Sequence, residues 1–248
     1  MAGKLAGKAA FITGGSRGIG AAIVKRLAAD GASVAFTYST GSAKAEEVVR
    51  SIEPTGGKAF AIKGDAADPD STRAAVAKAA ESLGSAFDIF VNNPGLLAIA
   101  PIDQFPFKDF ERMIAVNIKG RFIATQESVR RMRDGGRIVL IGSCNSGRVP
   151  FQGGTVYALT KGAVVSFTKA LARDLGPRAI TVNNVQPGPT DTDMNPAQGP
   201  GAPGTVQHVA LGHYAKPEEI ASFVAYLASP EASYITGASL LVDGGYSA

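Results

Sequence analysis

Two kinds of apolar pattern alternate along the chain. Short runs rich in β-branched and aromatic residues are typical of buried strands, and longer stretches with apolar residues three and four positions apart are typical of helices. We predict strands at Ala9–Thr13, Ser33–Tyr38, Ala59–Lys63, Asp88–Asn92, Arg137–Gly142, Ala179–Gln186 and Ser239–Val242. We predict helices at 18–30, 43–53, 69–83, 107–133, 153–175 and 217–228. This alternation, with strands that lack a polar face, predicts an α/β three-layer sandwich: a seven-stranded parallel sheet between two layers of helices. No shift in composition marks a second domain, so residues 1–248 are predicted to form a single domain.

One long segment interrupts this alternation. Residues 187–213 carry five prolines and five glycines. The segment follows a strand, so it leaves the sheet at the carboxyl edge, where open α/β sheets bind ligands. We interpret it as a lid over the substrate. The alternative is a surface insertion without a function.

The composition fits a globular protein that folds without covalent staples. Of the 248 residues 45% are hydrophobic, and Cys144 is the single cysteine. One cysteine cannot form an intramolecular disulfide, and Met1–Lys8 lack the pattern of a secretion signal. No uncharged apolar run approaches the ~18 residues of a membrane span. We predict a cytoplasmic protein without membrane association and, with two histidines and one cysteine, without a metal site.

The net charge of +4 does not indicate a nucleic-acid partner. The densest basic group, Arg130, Arg131 and Arg133, lies at the predicted end of one helix, where cations suit the helix dipole. A nucleic-acid interface would need a continuous basic stripe with stacking aromatic residues. We interpret these arginines as a solvated surface.

A glycine-rich segment joins the first strand to the first helix. It reads Gly14-Gly15-Ser16-Arg17-Gly18-Ile19-Gly20. Glycines here permit a tight turn and a close approach of the backbone to phosphate, and the helix start offers free N–H groups to a pyrophosphate. Because a strand precedes the glycines and a helix follows them, we predict a Rossmann-like, doubly wound nucleotide-binding fold.

The end of the second strand indicates which nicotinamide cofactor is preferred. An NAD site places an acidic residue there to accept the ribose hydroxyls. This chain has Tyr38, Ser39 and Thr40 instead, and Arg17 in the glycine loop can supply a cation. We predict NADP(H). The alternative is that Arg17 is a surface residue and that selectivity is loose.

Tyr157 and Lys161 lie four residues apart in a predicted helix, so they share one face. A free tyrosine has a pKa near 10, too high for efficient proton transfer at neutral pH, and a neighbouring ammonium lowers it. The spacing alone is not specific. Its weight comes from its position, one helix after the strand that leads into Ser143.

The motifs follow one another in a fixed order. Thr13-Gly14-x-x-x-Gly18-x-Gly20 is followed by Asn92-Asn93-x-Gly95, Asn117, Ser143, Tyr157-x-x-x-Lys161 and Pro187-Gly188. In this order, and from Gly7 to Gly245, the chain resembles the short-chain dehydrogenase/reductase family. Within it, the chain is similar to 3-oxoacyl-acyl-carrier-protein reductases and related NADPH carbonyl reductases of about its own length.

The resemblance implies a role for each candidate residue. Tyr157 would protonate the carbonyl oxygen during reduction, and Lys161 would lower the pKa of Tyr157 and hold the nicotinamide ribose. Ser143 would hydrogen-bond the substrate carbonyl, and Asn117 would hold a water that relays protons to Lys161. Beyond the glycine loop and the end of the second strand, the implied cofactor contacts are Asp65 and Ala66 at the adenine, Asn92, Gly95 and Ile118 on the adenosine side, Pro187, Gly188 and Thr192 beside the nicotinamide, and Thr190.

Two positions depart from the family pattern. Pro94 replaces the third residue of the Asn-Asn-Ala-Gly motif and removes a backbone donor, which puts the usual adenosine contacts in question. Ser143 lies one residue further from the tyrosine than is commonest. Ser146 is therefore the alternative catalytic serine, and a β-bulge after the strand could absorb the extra residue.

Two classes of function follow from these features. The first is an NADPH-dependent oxidoreductase that acts on a ketone, aldehyde or 3-oxoacyl group. The second, motivated by Pro94, is a nucleotide-binding regulator on the same fold that has lost turnover. The resemblance also implies a homotetramer built from the long helices and the C-terminal segment Gly237–Gly245, with a homodimer as the alternative.

Overall fold

One parallel sheet forms the centre of the protein in the computed structural model, which describes residues 3–248. Met1 and Ala2, part of the predicted domain, lie outside the described residues. The strands are β1 (Ala9–Thr13), β2 (Ser33–Tyr38), β3 (Lys58–Lys63), β4 (Phe87–Asn92), β5 (Met132–Ile141), β6 (Thr181–Pro187) and β7 (Ser239–Val242). They lie in the order β3-β2-β1-β4-β5-β6-β7, and every neighbouring pair is parallel. The predicted seven-stranded, doubly wound fold is confirmed.

Helices cover both faces of this sheet. They are α1 (Gly18–Ala29), α2 (Ser42–Ile52), α3 (Pro69–Ser82), α4 (Phe107–Ile114), α5 (Arg121–Val129), α6 (Thr155–Leu175), α7 (Ala202–Val206) and α8 (Pro217–Ala228). Successive strand residues face opposite sides. Ile12 of β1 therefore belongs to the core under α1 and α8, and its neighbour Phe11 belongs to the core under α3 and α6. Across residues 3–248, none of the helices has both the length and the apolar character that crossing a membrane requires.

The longest predicted helix, 107–133, extends too far at its C-terminal end, and the structure divides it in the middle. α4 continues through a π-helical segment, Ala115–Gly120, into α5, which stops at Val129. β5 then begins at Met132, well before the predicted start at Arg137, because the Met132 side chain is buried and pairs with β4. Neither glycine nor proline lies between the two elements, so the usual stop signals are missing.

The strand order places the ligand-binding edge of the sheet. The order reverses between β1 and β4, and open α/β sheets bind ligands in the crevice at such a reversal. The long loop after β6 lies over this crevice. A parallel bridge between Thr190 and Ala215 ties its two ends together, and the short helix α7, which the sequence did not predict, lies inside it.

Candidate active site

A large cavity opens at the carboxyl edge of the sheet. Its volume is about 1300 Å³, and its walls are the glycine-rich loop, the ends of β2 and β3, the loops after β4, β5 and β6, and the start of α6. The predicted site residues that line it are Gly14, Ser16, Arg17, Gly18, Ile19, Gly20, Tyr38, Ser39, Thr40, Asp65, Ala66, Gly95, Ser143, Tyr157, Lys161, Pro187, Gly188, Thr190 and Thr192. Asn92 and Asn117 are buried behind this lining.

The glycine-rich loop adopts backbone conformations that other residues avoid. Gly14 and Gly18 have φ angles of 69° and 51°, in the left-handed region that favours glycine. A Cβ on Gly20 would lie 2.0 Å from the carbonyl oxygen of Gly14, which is too close for any side chain. α1 begins after Arg17, whose side chain does not cap the helix. Its first-turn N–H groups therefore remain available to an anion, and the loop fits a pyrophosphate.

The end of β2 is hydrogen-bonded to the glycine-rich loop, and its side chains carry hydroxyl groups instead of carboxylates. The N–H of Gly14 donates to Thr37 Oγ1 at 2.9 Å, and the N–H of Gly15 donates to the Thr37 carbonyl oxygen at 2.8 Å. The three residues after Thr37, Tyr38 to Thr40, line the cavity together with Arg17. No carboxylate in this stretch would repel a phosphate on the ribose.

An ion pair connects the long loop after β6 to α2. Lys44 Nζ lies 2.7 Å from Asp193 Oδ2, and both side chains are more than half exposed. The hydrogen bond from Lys44 is the main cause that holds the pKa of the Asp193 carboxyl below its usual range, and the charge of Arg17 contributes. The sequence analysis did not identify Lys44, because a pairing between surface charges far apart in the chain leaves no local pattern.

The loop after β4 presents Asn93 to the cavity instead of Asn92. Asn93 Nδ2 donates to the carbonyl oxygen of Gly14 at 2.8 Å, which joins this loop to the glycine-rich loop. The buried Asn92 side chain instead donates to the carbonyl oxygen of Arg121 at 3.0 Å. Consecutive residues at a strand end face opposite sides. The predicted adenosine-side contact of Asn92 is therefore not brought to the cavity, and Pro94 still leaves Asn93 there.

Asn117 lies in the π-helical segment and fastens three elements together. Its Oδ1 accepts from the Leu96 N–H at 2.8 Å, and its Nδ2 donates to the Leu96 carbonyl oxygen at 2.9 Å and to Thr160 Oγ1 at 3.1 Å. The amide thus links the loop after β4 to α6. Single π-helical turns are frequent at functional sites. The water-holding role of Asn117 stays a prediction.

The segment after β5 separates the two candidate serines. Ser143 is buried, lines the cavity, and its Oγ accepts from the N–H of Asn145 at 3.1 Å. Ser146 Oγ instead accepts a short hydrogen bond from Gln186 Nε2 and lies outside the cavity lining. The extra residue before Tyr157 is taken up by a 3₁₀ turn, Cys144–Ser146, and not by a β-bulge. Ser143 is thus the serine that the fold brings to Tyr157.

Tyr157 and Lys161 face the cavity from α6. Lys161 Nζ lies 5.6 Å from the centre of the Tyr157 ring and donates to the carbonyl oxygen of Ile141 at 3.2 Å. Burial lowers the pKa of Lys161 to about 7, and the charge of Arg121 contributes. Burial raises the pKa of Tyr157, and the hydrogen bond with Ser143 and the charge of Arg121 oppose this rise. Burial of the Tyr157 phenol therefore outweighs the lowering of its pKa that we expected from the Lys161 ammonium. The phenol is protonated at neutral pH.

The C-terminal segment supplies a wall that the sequence analysis did not identify. Tyr246 is buried, lines the cavity, and packs with Cys144 and Val209 in a small cluster. Arg148 donates to the main-chain oxygen of Tyr246 and lies 5.9 Å from the centre of its ring. Burial raises the pKa of the Cys144 thiol to about 12, so Cys144 is a neutral part of the wall. A tyrosine near the chain end carries no motif that would have revealed this position.

Comparison with known proteins assigns the family. A family model described as enoyl-(acyl carrier protein) reductase matches residues 14–247. Together with the fold and the cavity, this match defines the class: the chain belongs to the short-chain dehydrogenase/reductase family of oxidoreductases.

Three similar proteins illustrate the relationship. The cyclic-di-GMP-binding biofilm dispersal mediator protein of Escherichia coli (strain K12) is 44% identical over 246 residues, which cover 99% of this chain and 100% of the relative. The solved structure of a short-chain dehydrogenase/reductase from Serratia marcescens BCRC 10948 is 56% identical, with a TM-score of 0.97 over 99% of this chain and 100% of that one. The structure of a blue fluorescent protein from a metagenomic library, solved in complex with NADPH, is 49% identical. Its TM-score is 0.95, over 99% of this chain and 100% of that one.

Proposed function

We propose that the protein is an NADPH-dependent reductase that transfers a hydride to a ketone, aldehyde or 3-oxoacyl carbonyl, with alcohol oxidation as the reverse reaction. The observation that carries the proposal is the meeting of Ser143, Tyr157 and Lys161 in one cavity with the glycine-rich loop. A proton donor and a nucleotide cradle in one crevice are the two parts that carbonyl reduction requires.

NADP(H) fits the nucleotide end of the cavity. The uncapped start of α1 suits the pyrophosphate, and the acid-free end of β2 with Arg17 suits the 2′-phosphate. The complex of the similar blue fluorescent protein with NADPH supports this choice. Bound there, the cofactor supplies the hydride. The residues proposed to hold its remaining parts are Asp65, Ala66, Asn93, Gly95, Lys161, Pro187, Gly188, Thr190 and Thr192.

The side chains of the cavity divide the proton chemistry between them. Tyr157 donates its proton to the carbonyl oxygen, and the burial that keeps its phenol protonated favours this direction. Ser143 donates a hydrogen bond to the same oxygen and so polarises the carbonyl. Lys161, with a pKa of about 7, exchanges a proton readily at neutral pH. We assign to Asn117 the placement of the water through which Lys161 reaches solvent.

The substrate end of the cavity favours an uncharged, largely apolar carbonyl compound. Leu97, Ile99, Phe151 and Met194 line this end. Residues 187–213 cover it, and we propose that they act as a lid. The cavity exceeds the volume range of about 300–1,000 Å³ typical of small-molecule sites, which supports occupancy by a cofactor and a substrate together.

A fluorescence titration with NADPH and with NADH at fixed ionic strength tests this proposal first. We expect NADPH to bind at least about tenfold more tightly. A screen of ketones, aldehydes, 3-oxoacyl thioesters and enoyl thioesters for NADPH oxidation follows. Tyr157→Phe should lower kcat by about 10²–10⁴-fold with NADPH affinity unchanged. Absence of binding of either cofactor at about 1 mM, well above typical enzyme–substrate affinities, would refute the assignment.

A nucleotide-binding regulator is the second candidate function. The observation in its favour is the name of the Escherichia coli relative, a cyclic-di-GMP-binding mediator that is 44% identical to this chain. On this hypothesis, cyclic-di-GMP would bind to this protein and compete with NADPH. It would bind equally well to Tyr157→Phe, because a regulator has no need of the acid. Binding without any carbonyl reduction would favour this candidate over the reductase.

We further propose that the protein assembles as a homotetramer, with a homodimer as the alternative. Large apolar side chains are exposed on the outer helices and on β7: Phe107 of α4, Phe122 of α5, Leu159 of α6 and Leu241 of β7. Contiguous apolar surface marks interaction sites, and we propose that these side chains contribute to such surfaces in the assembly. Light scattering on the purified protein would test the proposal, and a monomer at micromolar concentration would contradict it.

A further inference from the structure

Arg121 is a buried cation without a role in the proposed chemistry. It is the first residue of α5, directly after the π-helical segment, and only 4% of its surface is exposed. Its guanidinium donates to four main-chain carbonyl oxygens. Nε donates to Asn117 at 3.3 Å, Nη1 to Asn92 at 2.8 Å, and Nη2 to Pro94 at 3.0 Å and Ile141 at 3.2 Å. The side chain therefore joins the ends of β4 and β5 to the segment that carries Asn117.

Arg121 and Lys161 donate to the same atom. The carbonyl oxygen of Ile141 accepts from Lys161 Nζ at 3.2 Å and from Arg121 Nη2 at 3.2 Å. A carbonyl oxygen has two lone pairs, so it can accept both donors. Two cations that share one buried acceptor disfavour each other's protonation. Burial lowers the pKa of Arg121 to about 10, so it stays charged at neutral pH, and Lys161 is the group that yields.

The other titratable groups at this place do not compensate the two charges. Tyr157, on α6 with Lys161, is a protonated phenol at neutral pH. Cys144, in the turn after β5, is a neutral thiol, and Asp243, after β7, acts on that thiol. Among residues 3–248, Arg121 forms no ion pair with a carboxylate. Within the described part of the chain, main-chain dipoles and not a carboxylate therefore balance the charge of Arg121, and this charge acts on Lys161.

We propose that Arg121 is a positioning residue of the active site: it fixes the carbonyl oxygen to which Lys161 donates and couples its own positive charge to the Lys161 amine. The effect of this electrostatic coupling on catalysis rests on the proposed reductase function. The coupling between Arg121 and Lys161 itself does not. Arg121 also holds the carbonyl oxygen of Pro94, so the same side chain secures the loop that departs from the family pattern.

Removal of Arg121 has different expected results if its role is only structural and if it positions Lys161. A structural role predicts that removing Arg121 lowers the free energy of unfolding and leaves the protonation of Lys161 alone. A positioning role predicts that the protonation midpoint of Lys161 rises, because burial remains while the like charge is gone. The midpoint of Lys161 is therefore the decisive measurement.

Nuclear magnetic resonance on protein with isotope-labelled lysine measures this midpoint directly. The Lys161 resonance is assigned by its loss in Lys161→Met. In the unaltered protein we expect a midpoint of about 7, against about 10.4 for an ordinary lysine. In Arg121→Met we expect the midpoint to rise by about one pH unit or more. The pH profile of kcat for carbonyl reduction should move in the same direction.

Two further variants control this experiment. Arg130→Met removes an exposed arginine directly after α5 and should leave the Lys161 midpoint unchanged. Arg121→Lys loses the planar fork and places a second titratable amine beside Lys161, so kcat should fall and the Lys161 midpoint should lie between those of the unaltered protein and Arg121→Met. If Arg121→Met does not fold by circular dichroism, Arg121→Gln, which keeps amide donors without the charge, carries the same prediction.

Several results would overturn the proposal. An ordinary lysine midpoint for Lys161 in the unaltered protein does so without any variant. An unmoved midpoint in a folded Arg121→Met or Arg121→Gln protein does so as well. Because the titration needs neither cofactor nor turnover, its failure is distinguishable from that of the reductase assignment, which is refuted by absent cofactor binding and absent carbonyl reduction.

Discussion

The two ends of the cavity are built in different ways. At the nucleotide end the main chain makes the site: the positive φ angles of Gly14 and Gly18 and the close approach at Gly20 shape a cradle of backbone N–H groups. At the proposed substrate end side chains form the wall, and they come from distant segments such as Phe151 before α6 and Tyr246 near the C-terminus.

This difference bears on how the two ends can vary. A cradle made of backbone tolerates almost no substitution, because each glycine is required by geometry. A wall made of side chains can be replaced residue by residue without disturbing the sheet that supports it. The proposed catalytic residues lie between the two ends, and Ser143 belongs to both, since it follows the end of β5 and lines the cavity.

Of the variants that test this comparison, those at the junction of the two ends should show the largest effect. Ser143→Ala should lower kcat by about 10²-fold, because it removes a hydrogen-bond donor from the developing oxyanion. Ser146→Ala is the matched control. Its hydroxyl is held by Gln186 outside the cavity lining, so kcat should stay within about twofold. Steady-state kinetics on both variants measures this, and equal losses would contradict the assignment.

A second experiment tests whether the nucleotide end depends on backbone geometry. Gly20→Ala places a methyl group against the Gly14 carbonyl oxygen, and we expect NADPH affinity to fall at least about tenfold. Gly162→Ala in α6 meets no atom within 4 Å. It should raise the free energy of unfolding by roughly 0.5–1 kcal/mol and leave NADPH binding unchanged. Fluorescence titration and urea unfolding report the two quantities, and equal NADPH affinities in both variants would break the comparison.

The buried Lys161 predicts a pH dependence of stability. Its pKa is about 7 in the folded protein and near 10.4 in the unfolded chain. Between these values the unfolded chain binds the extra proton, so Lys161 destabilises the fold more as the pH falls from about 10 towards 7. The free energy of unfolding of the parent relative to Lys161→Met should therefore rise by about 1 kcal/mol per pH unit over this window. Urea unfolding at pH values across the window checks this, and a constant difference would contradict it.

The smallest effect concerns the link between the two ends. Lys44 and Asp193 form an exposed ion pair between α2 and the long loop after β6, so a double-mutant cycle should give a coupling of about 0.2–1 kcal/mol in NADPH binding, and salt should weaken it. The exposed pair Lys4 and Glu231, of similar length, provides the control and should show no coupling to NADPH. A coupling that persists in high salt would point to a role for the long loop beyond this contact.

Local pattern predicted most of the fold and the centre of the site. The seven strands were located because both faces of the sheet are covered, which leaves continuous apolar runs. The glycine loop and the Tyr157–Lys161 pair were located because backbone geometry and helical spacing fix their residue types locally. The end of α5 at Val129 was not predicted. It is determined by the burial of Met132 against β4, and neither glycine nor proline separates Val129 from Met132.

The remaining site residues depend on contacts between distant parts of the chain. Lys44 joins the site because it pairs with Asp193. Tyr246 joins it because it packs against Cys144 and Val209. Arg121 looks like an ordinary helical arginine until the carbonyls of β4 and β5 surround it. Such partners can be known only once the chain is folded, because no spacing in the sequence relates them.

The position of the chain end has a practical consequence for anyone who handles the protein. Arg148 donates to the main-chain oxygens of both Tyr246 and Ala248, so the last residues are held against the cavity wall that Tyr246 forms. A peptide fused after Ala248, such as an affinity tag, would begin beside this wall, and we expect it to disturb the contacts that hold Tyr246. A comparison of NADPH binding between protein tagged after Ala248 and untagged protein measures this disturbance.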